Sequence, residues 1–140
     1  MKLEVLVWLL AHILTISSIL IFRSQFSLTN SLTILSLILL VLGAIFLFIS
    51  LINIGGYYTP SPIPKGLTTK GIYSRVRHPI YLSIDILFIG LSLIFTSVIG
   101  LLLTFLIIIP FHLYRMKKEE RLLAEKFGKR YREYKDKTWF

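Results

Sequence analysis

Apolar residues run along this chain in long blocks separated by short polar punctuation. Positions 3–22 form a run of 20 residues broken only by Glu4, His12 and small hydroxyls, and positions 31–54 form a second run without a charge. At 1.5 Å of rise per residue each reaches about 30 Å as a helix, enough to cross a bilayer core. The third run, 80–114, has 35 residues and is too long for one crossing. Thr96 and Ser97, flanked by Gly90 and Gly100, predict a turn that divides it into 80–95 and 98–114. The result is a hairpin of two helices, each about 24–26 Å long. Helices that short either cross a thinned bilayer or form a re-entrant hairpin, and the pattern leaves both open. The first run has signal-peptide length. It lacks an A-x-A-like end and is followed at once by another span, so it reads as a membrane anchor.

Between the second and third runs, Gly55, Gly56, Pro60, Pro62, Pro64 and Gly66 exclude a continuous helix. Tyr57 and Tyr58 fall where an aromatic belt would meet the membrane surface. After Tyr114 the chain turns polar. Positions 116–135 predict an amphipathic helix, with Glu120, Leu123, Phe127, Tyr131 and Tyr134 near one face. The predicted fold is therefore all-α and integral to the membrane, a single domain over 1–140. Four transmembrane helices (3–22, 31–54, 80–95, 98–114) form the bundle, and a cytosolic amphipathic C-terminal helix follows.

Composition agrees. The chain is 55% hydrophobic and 16% charged, with a mean hydropathy of +0.76, more apolar than ordinary soluble domains. It has no cysteine, which excludes disulfides, thiolate metal sites and cysteine nucleophiles. The net charge of +9 points first to anionic membrane lipid as a partner, not to nucleic acid. Four spans put 15 of the 16 Lys and Arg residues on one side and leave Arg23 opposite. The positive-inside bias then places both termini in the cytoplasm.

Three polar features need chemistry. RVRHPIYLS at 75–83 gathers Arg75, Arg77 and His78 just before an apolar helix. Pro79 suits the first helical position, which puts His78 at the N-cap. The unpaired N–H groups of that end suit a carboxylate or phosphate. Arg75 and Arg77 on lipid headgroups, with His78 as a simple cap, explain the same residues. Asp85 lies two turns into an apolar helix, where an acid costs roughly 2.5–3.5 kcal/mol at mid-membrane. It needs a partner, and His12, His112 and Arg115 are candidates. Its alternative role is in packing the bundle. In KKEE, 117–120, the paired Glu119 and Glu120 suit an ammonium or ribose hydroxyls, or else lie on a solvated face.

Together these motifs resemble the integral-membrane methyltransferases of the isoprenylcysteine carboxyl methyltransferase family, related to the phospholipid N-methyltransferases. The resemblance covers about 55–140 and rests on TPSP at 59–62, LTTKGIYSRVRHPIYLS at 67–83 and EERLLAEKFGKRYREY at 119–134. It implies an S-adenosyl-L-methionine site near the cytosolic surface, built from segments 67–85 and 115–135, and a lipophilic or prenylated acceptor that enters through the bilayer. The implied cofactor residues are His78, Tyr81, Glu119, Glu120, Tyr131 and Arg77, with no metal. No catalytic base follows from the motifs; Asp85 and His12 are the candidates the sequence offers. Two departures stand out: Ser83 where the family often has glycine, and an end at Trp139 and Phe140, short of the family's usual basic tail. The implied activity is methyl transfer to a carboxylate of isoprenylcysteine type. A phospholipid amine methyltransferase and a non-catalytic adaptor with a basic, lipid-binding tail are the alternatives.

Overall fold

A computed structural model describes residues 2–23, 30–61 and 63–139. Pro62 and Phe140 from the readings above lie outside the described residues. Among the described residues five helices form: α1 Lys2–Ile21, α2 Asn30–Ile54, α3 Pro79–Ile94, α4 Val98–Phe127 and α5 Lys129–Lys135. Single 3-10 turns, Gly55–Tyr57 and Gly71–Ser74, bracket the irregular Pro-rich loop. Three helical stretches are long and apolar enough to cross a membrane, Leu3–Ile21, Ser31–Tyr57 and Val98–Phe127. Helix α3 is apolar but only 16 residues long.

The predicted turn is present, and its hydrogen bonds explain it. Thr96 takes φ 48. Its N–H reaches the Leu93 carbonyl at 2.9 Å, and the Ser97 N–H reaches the Ser92 carbonyl at 2.8 Å. That is the paired-bond C-terminal motif, with threonine in the position usually given to glycine. Ser97 then accepts from the Gly100 N–H at 3.1 Å and starts α4.

The C-terminal helix differs from the sequence expectation. It is not a separate element from 116 onward: α4 runs through Tyr114 to Phe127, and the break comes at Gly128, with φ 52. A change from apolar to polar side chains alters a helix's surroundings without interrupting its backbone bonds. A glycine in a left-handed conformation does interrupt them. Within α4 the Ile109 N–H bonds back to the Thr104 carbonyl, a π turn just ahead of Pro110. Proline donates no N–H, and the wider turn accommodates it.

Hydroxyls inside the apolar helices bond their own backbones. Thr15 donates to Ala11, Ser50 to Phe46, Ser92 to Phe88 and Thr104 to Gly100, which spares them unpaired burial in lipid. Ile19, Phe88 and Ile108 form the core where α1, α3 and α4 meet. A Cβ added at Gly100 would lie 2.3 Å from Ile19 Cγ1. Gly100→Ala is therefore expected to destabilise the fold by about 1–3 kcal/mol through overpacking. Thermal unfolding in detergent micelles measures it.

Candidate functional site

The polar segments before α3 and at the end of α4 meet. Pro79 occupies the first turn of α3, and His78 stands at the N-cap position but makes no side-chain cap bond. Its ring is free to face α4 instead and is 7% exposed. His78 Nδ1 lies 3.8 Å from Glu119 Oε2, and Nε2 lies 3.5 Å from Glu120 Oε1. These are ion-pair separations; Nε2 has no hydrogen-bond partner among the described residues.

The two adjacent glutamates are not equivalent. Glu120 is a clasp. Its Oε1 accepts from Arg77 Nε at 2.8 Å and its Oε2 from Lys135 Nζ at 2.8 Å. Arg77 Nη1 continues to the Thr138 carbonyl at 2.9 Å. The Trp139 N–H bonds the Arg75 carbonyl at 2.8 Å, and Tyr134 donates to the Tyr73 carbonyl at 2.6 Å. Segment 73–78 is thus laced to the end of the chain. Glu119 instead lines a cavity with His78, Tyr81 and Arg115, and Glu120 does not. Tyr81, Arg115 and Glu119 share this wall.

The cavity has about 860 Å³ of space outside the atoms, its open mouth included. Its walls come from α1, the end of α2, the loop that follows it, segment 73–84, α4 and α5. Lys126 Nζ donates to the Pro64 carbonyl at 2.8 Å and holds the loop against α4. Arg115, 4% exposed, donates from Nη2 to the Pro60 carbonyl. Burial pushes the Tyr134 hydroxyl up to about 12 and raises Tyr73 and Tyr131 above the ordinary value. All three therefore stay neutral at working pH.

One observation separates this cavity from a packing gap. Among the described residues, buried side-chain nitrogens and oxygens without a partner belong to Trp8, Tyr73, His78, Arg115 and Tyr131. All five residues line this cavity. Such atoms are costly unless something bonds them, and here they all belong to residues of one cavity wall.

Of the sequence candidates, His78, Tyr81, Glu119, Tyr131 and Arg77 line the cavity, while Glu120 sits behind it. Asp85 and His12 do not line it. They join His112 in a chain between helices: Asp85 Oδ1 is 2.7 Å from His112 Nδ1, and His112 Nε2 is 3.3 Å from His12 Nε2. Ser83 is buried, donates to the Ile80 carbonyl at 2.8 Å and also lies outside the wall. Sequence reasoning missed Trp8, Tyr73 and Arg115 as wall residues. Spacing offered a signal for two of them: Arg115 is one turn before Glu119, and Trp8 is one turn before His12.

Comparison with known proteins adds lineage. Residues 31–130 match the family model described as phospholipid methyltransferase. The chain is also similar to a protein-S-isoprenylcysteine O-methyltransferase of Schizosaccharomyces pombe, 35% identical over 72 residues. That match takes in 51% of this chain and 30% of the yeast protein, so the chain spans under a third of that relative's length.

Proposed function

From the premise that the chain belongs to the phospholipid methyltransferase family, we propose that it is an S-adenosyl-L-methionine-dependent methyltransferase acting on a lipophilic membrane acceptor. The acceptor group is a carboxylate of isoprenylcysteine type. The observation that carries this reading is the convergence of five residues with unpartnered buried polar atoms on one cavity. A molecule with an ammonium, a carboxylate and ribose hydroxyls suits that mixture of donors and acceptors.

Each residue has a role in this reading. Glu119 accepts from the ammonium or the ribose. His78, at the start of α3, presents Nε2 beside first-turn N–H groups that no side chain caps, a setting for an anionic oxygen. Tyr81, Tyr73 and Tyr131 add neutral hydroxyls. Arg77 and Glu120 keep segment 73–78 locked to the chain's end, so the wall is set before a ligand arrives. Arg115 offers Nε and Nη1, both unpartnered, and a guanidinium with free donors is a strong complement to a carboxylate. That suits a carboxylate acceptor.

The bound cofactor would supply an activated methyl group. The protein's contribution is alignment, which lowers a two-reactant barrier by roughly 7–11 kcal/mol. The charge bias puts this end of the bundle, and both termini, on the cytoplasmic side, where anionic lipid meets the basic residues after Arg115.

Radiolabelled cofactor tests the reading, incubated with the detergent-solubilised protein and either a farnesylated cysteine or phosphatidylethanolamine vesicles. The expected product is alkali-labile label on the prenylcysteine, absent with His78→Ala. Alkali-stable label on the vesicles would move the acceptor to an amine. Cofactor binding without transfer to either would favour the adaptor.

A further inference from the structure

Two parts of the cavity wall lie outside the family-matched segment, Tyr131 and Tyr134 just after its end and Trp8 well before its start. The match begins at residue 31, and Trp8 lies before it on α1. Trp8 lines the cavity, and its Nε1–H is buried without a partner. The Arg115 guanidinium sits over the indole, 5.2 Å from the ring centre, and keeps two nitrogens unpartnered. Open donors from two helices, side by side, complement a negatively charged oxygen of a carboxylate or phosphate.

The seat of Trp8 is set by polar contacts more than by apolar packing. Leu6, Leu10, Ile13 and Leu14 on the same helix are exposed, so much of α1 grips nothing within the chain. Besides the Ile19 core and the ion pair between Lys118 Nζ and Glu4 Oε1, a polar chain holds it. The Trp8 carbonyl accepts from His12 Nδ1–H at 2.7 Å. His12 Nε2 lies 3.3 Å from His112 Nε2. His112 Nδ1 lies 2.7 Å from Asp85 Oδ1. His112 is fully buried, and the His12 ring lies 4.4 Å from the indole, centre to centre. The chain therefore runs from α3 through α4 to α1 and ends against the tryptophan. In a low-dielectric interior a satisfied polar chain fixes orientation more sharply than an apolar face does. It also accounts for an acid and two histidines inside apolar helices, where such groups are costly.

We propose that α1 is a working wall of the site. Trp8 Nε1–H is a donor to an anionic group of the bound ligand, and Asp85, His112 and His12 are positioning residues that set the indole. The inference rests on the methyltransferase reading and extends it to a residue that the matched segment does not contain.

The chain has two tryptophans. Trp139 is 76% exposed, so Trp139→Phe leaves Trp8 as the sole indole reporter. S-adenosylhomocysteine is titrated into that variant alone, then with a farnesylated cysteine, and Trp8 emission is followed beside calorimetry. The expected result is a saturable emission change at the calorimetric midpoint. A change with the nucleoside alone assigns the cofactor's carboxylate; a change only after the prenylcysteine assigns the acceptor's; either supports the proposal. In the same background Asp85→Leu is expected to weaken binding about 10-fold and to reduce the emission change. Asp85→Asn, which still offers His112 a hydrogen-bond partner, is expected to retain both. Calorimetric binding with unchanged Trp8 emission would overturn the proposal and leave the methyltransferase reading standing. So would an Asp85→Leu variant equal to its parent in both readouts, or an Asp85→Asn variant as impaired as Asp85→Leu. Should Asp85→Leu fail to fold, the emission titration decides alone. Absence of calorimetric binding would overturn both.

Discussion

Glu120→Ala is expected to lower the stability of the fold by about 3 kcal/mol, the largest stability loss among single polar truncations at the site. The carboxylate is 19% exposed and Arg77 is 16% exposed. Both sit close enough to the interior for the loss of one to strand the other. Truncation leaves the Arg77 guanidinium without its 2.8 Å partner, frees Lys135, and removes the acid facing His78. The same carboxylate anchors the lacing between segment 73–78 and the chain's end, so the loss reaches the Tyr134 and Thr138 contacts as well. Thermal unfolding in detergent measures the drop. A variant as stable as the parent would show that the lacing holds without its central acid.

Glu119→Gln is expected to do the reverse. Stability should change by less than about 1 kcal/mol, because the nearest basic side chain to Glu119 is the His78 ring at 3.8 Å and no short ion pair breaks. Affinity for S-adenosylmethionine should fall about 30- to 100-fold, the consequence of losing a charged hydrogen bond of roughly 2–3 kcal/mol. Calorimetric titration measures that loss. Equal affinity in parent and variant would remove Glu119 from the site. Adjacent glutamates thus separate into one that ties the chain's end to the 73–78 segment and one that faces the cavity. The sequence EE offers no basis for that division, because it depends on which residue of a helix faces the cavity and which faces the tail.

The parts of the fold legible in the sequence were those governed by hydrophobic length and local turn chemistry. The two long apolar runs fold as α1 and α2, and Thr96 and Ser97 turn the chain where the pattern placed the turn. The C-terminal reading failed at Gly128. An isolated glycine within a helical pattern does not announce whether it will take a left-handed conformation, and here it does. The approach of His78 to the paired glutamates was legible only through resemblance, since nothing local to either segment encodes a contact 41 residues away. Asp85 was visible as an anomaly with three candidate partners, and the fold selects His112, with His12 beyond it. Arg115 and Trp8 were hidden because each looks ordinary where it stands: a cation just after an apolar run, and an aromatic ring inside one. Their unpartnered nitrogens appear only once α1 and α4 are packed together.

The central claim is that two polar segments, before α3 and at the end of α4, close around one molecule. The direct measurement is calorimetric titration of S-adenosylhomocysteine into the detergent-solubilised chain, with His78→Ala and Glu119→Gln alongside. The expected result is saturable binding of one ligand per chain, weakened at least 10-fold in both variants. No heat of binding in the parent, or the same affinity in all three proteins, would contradict it.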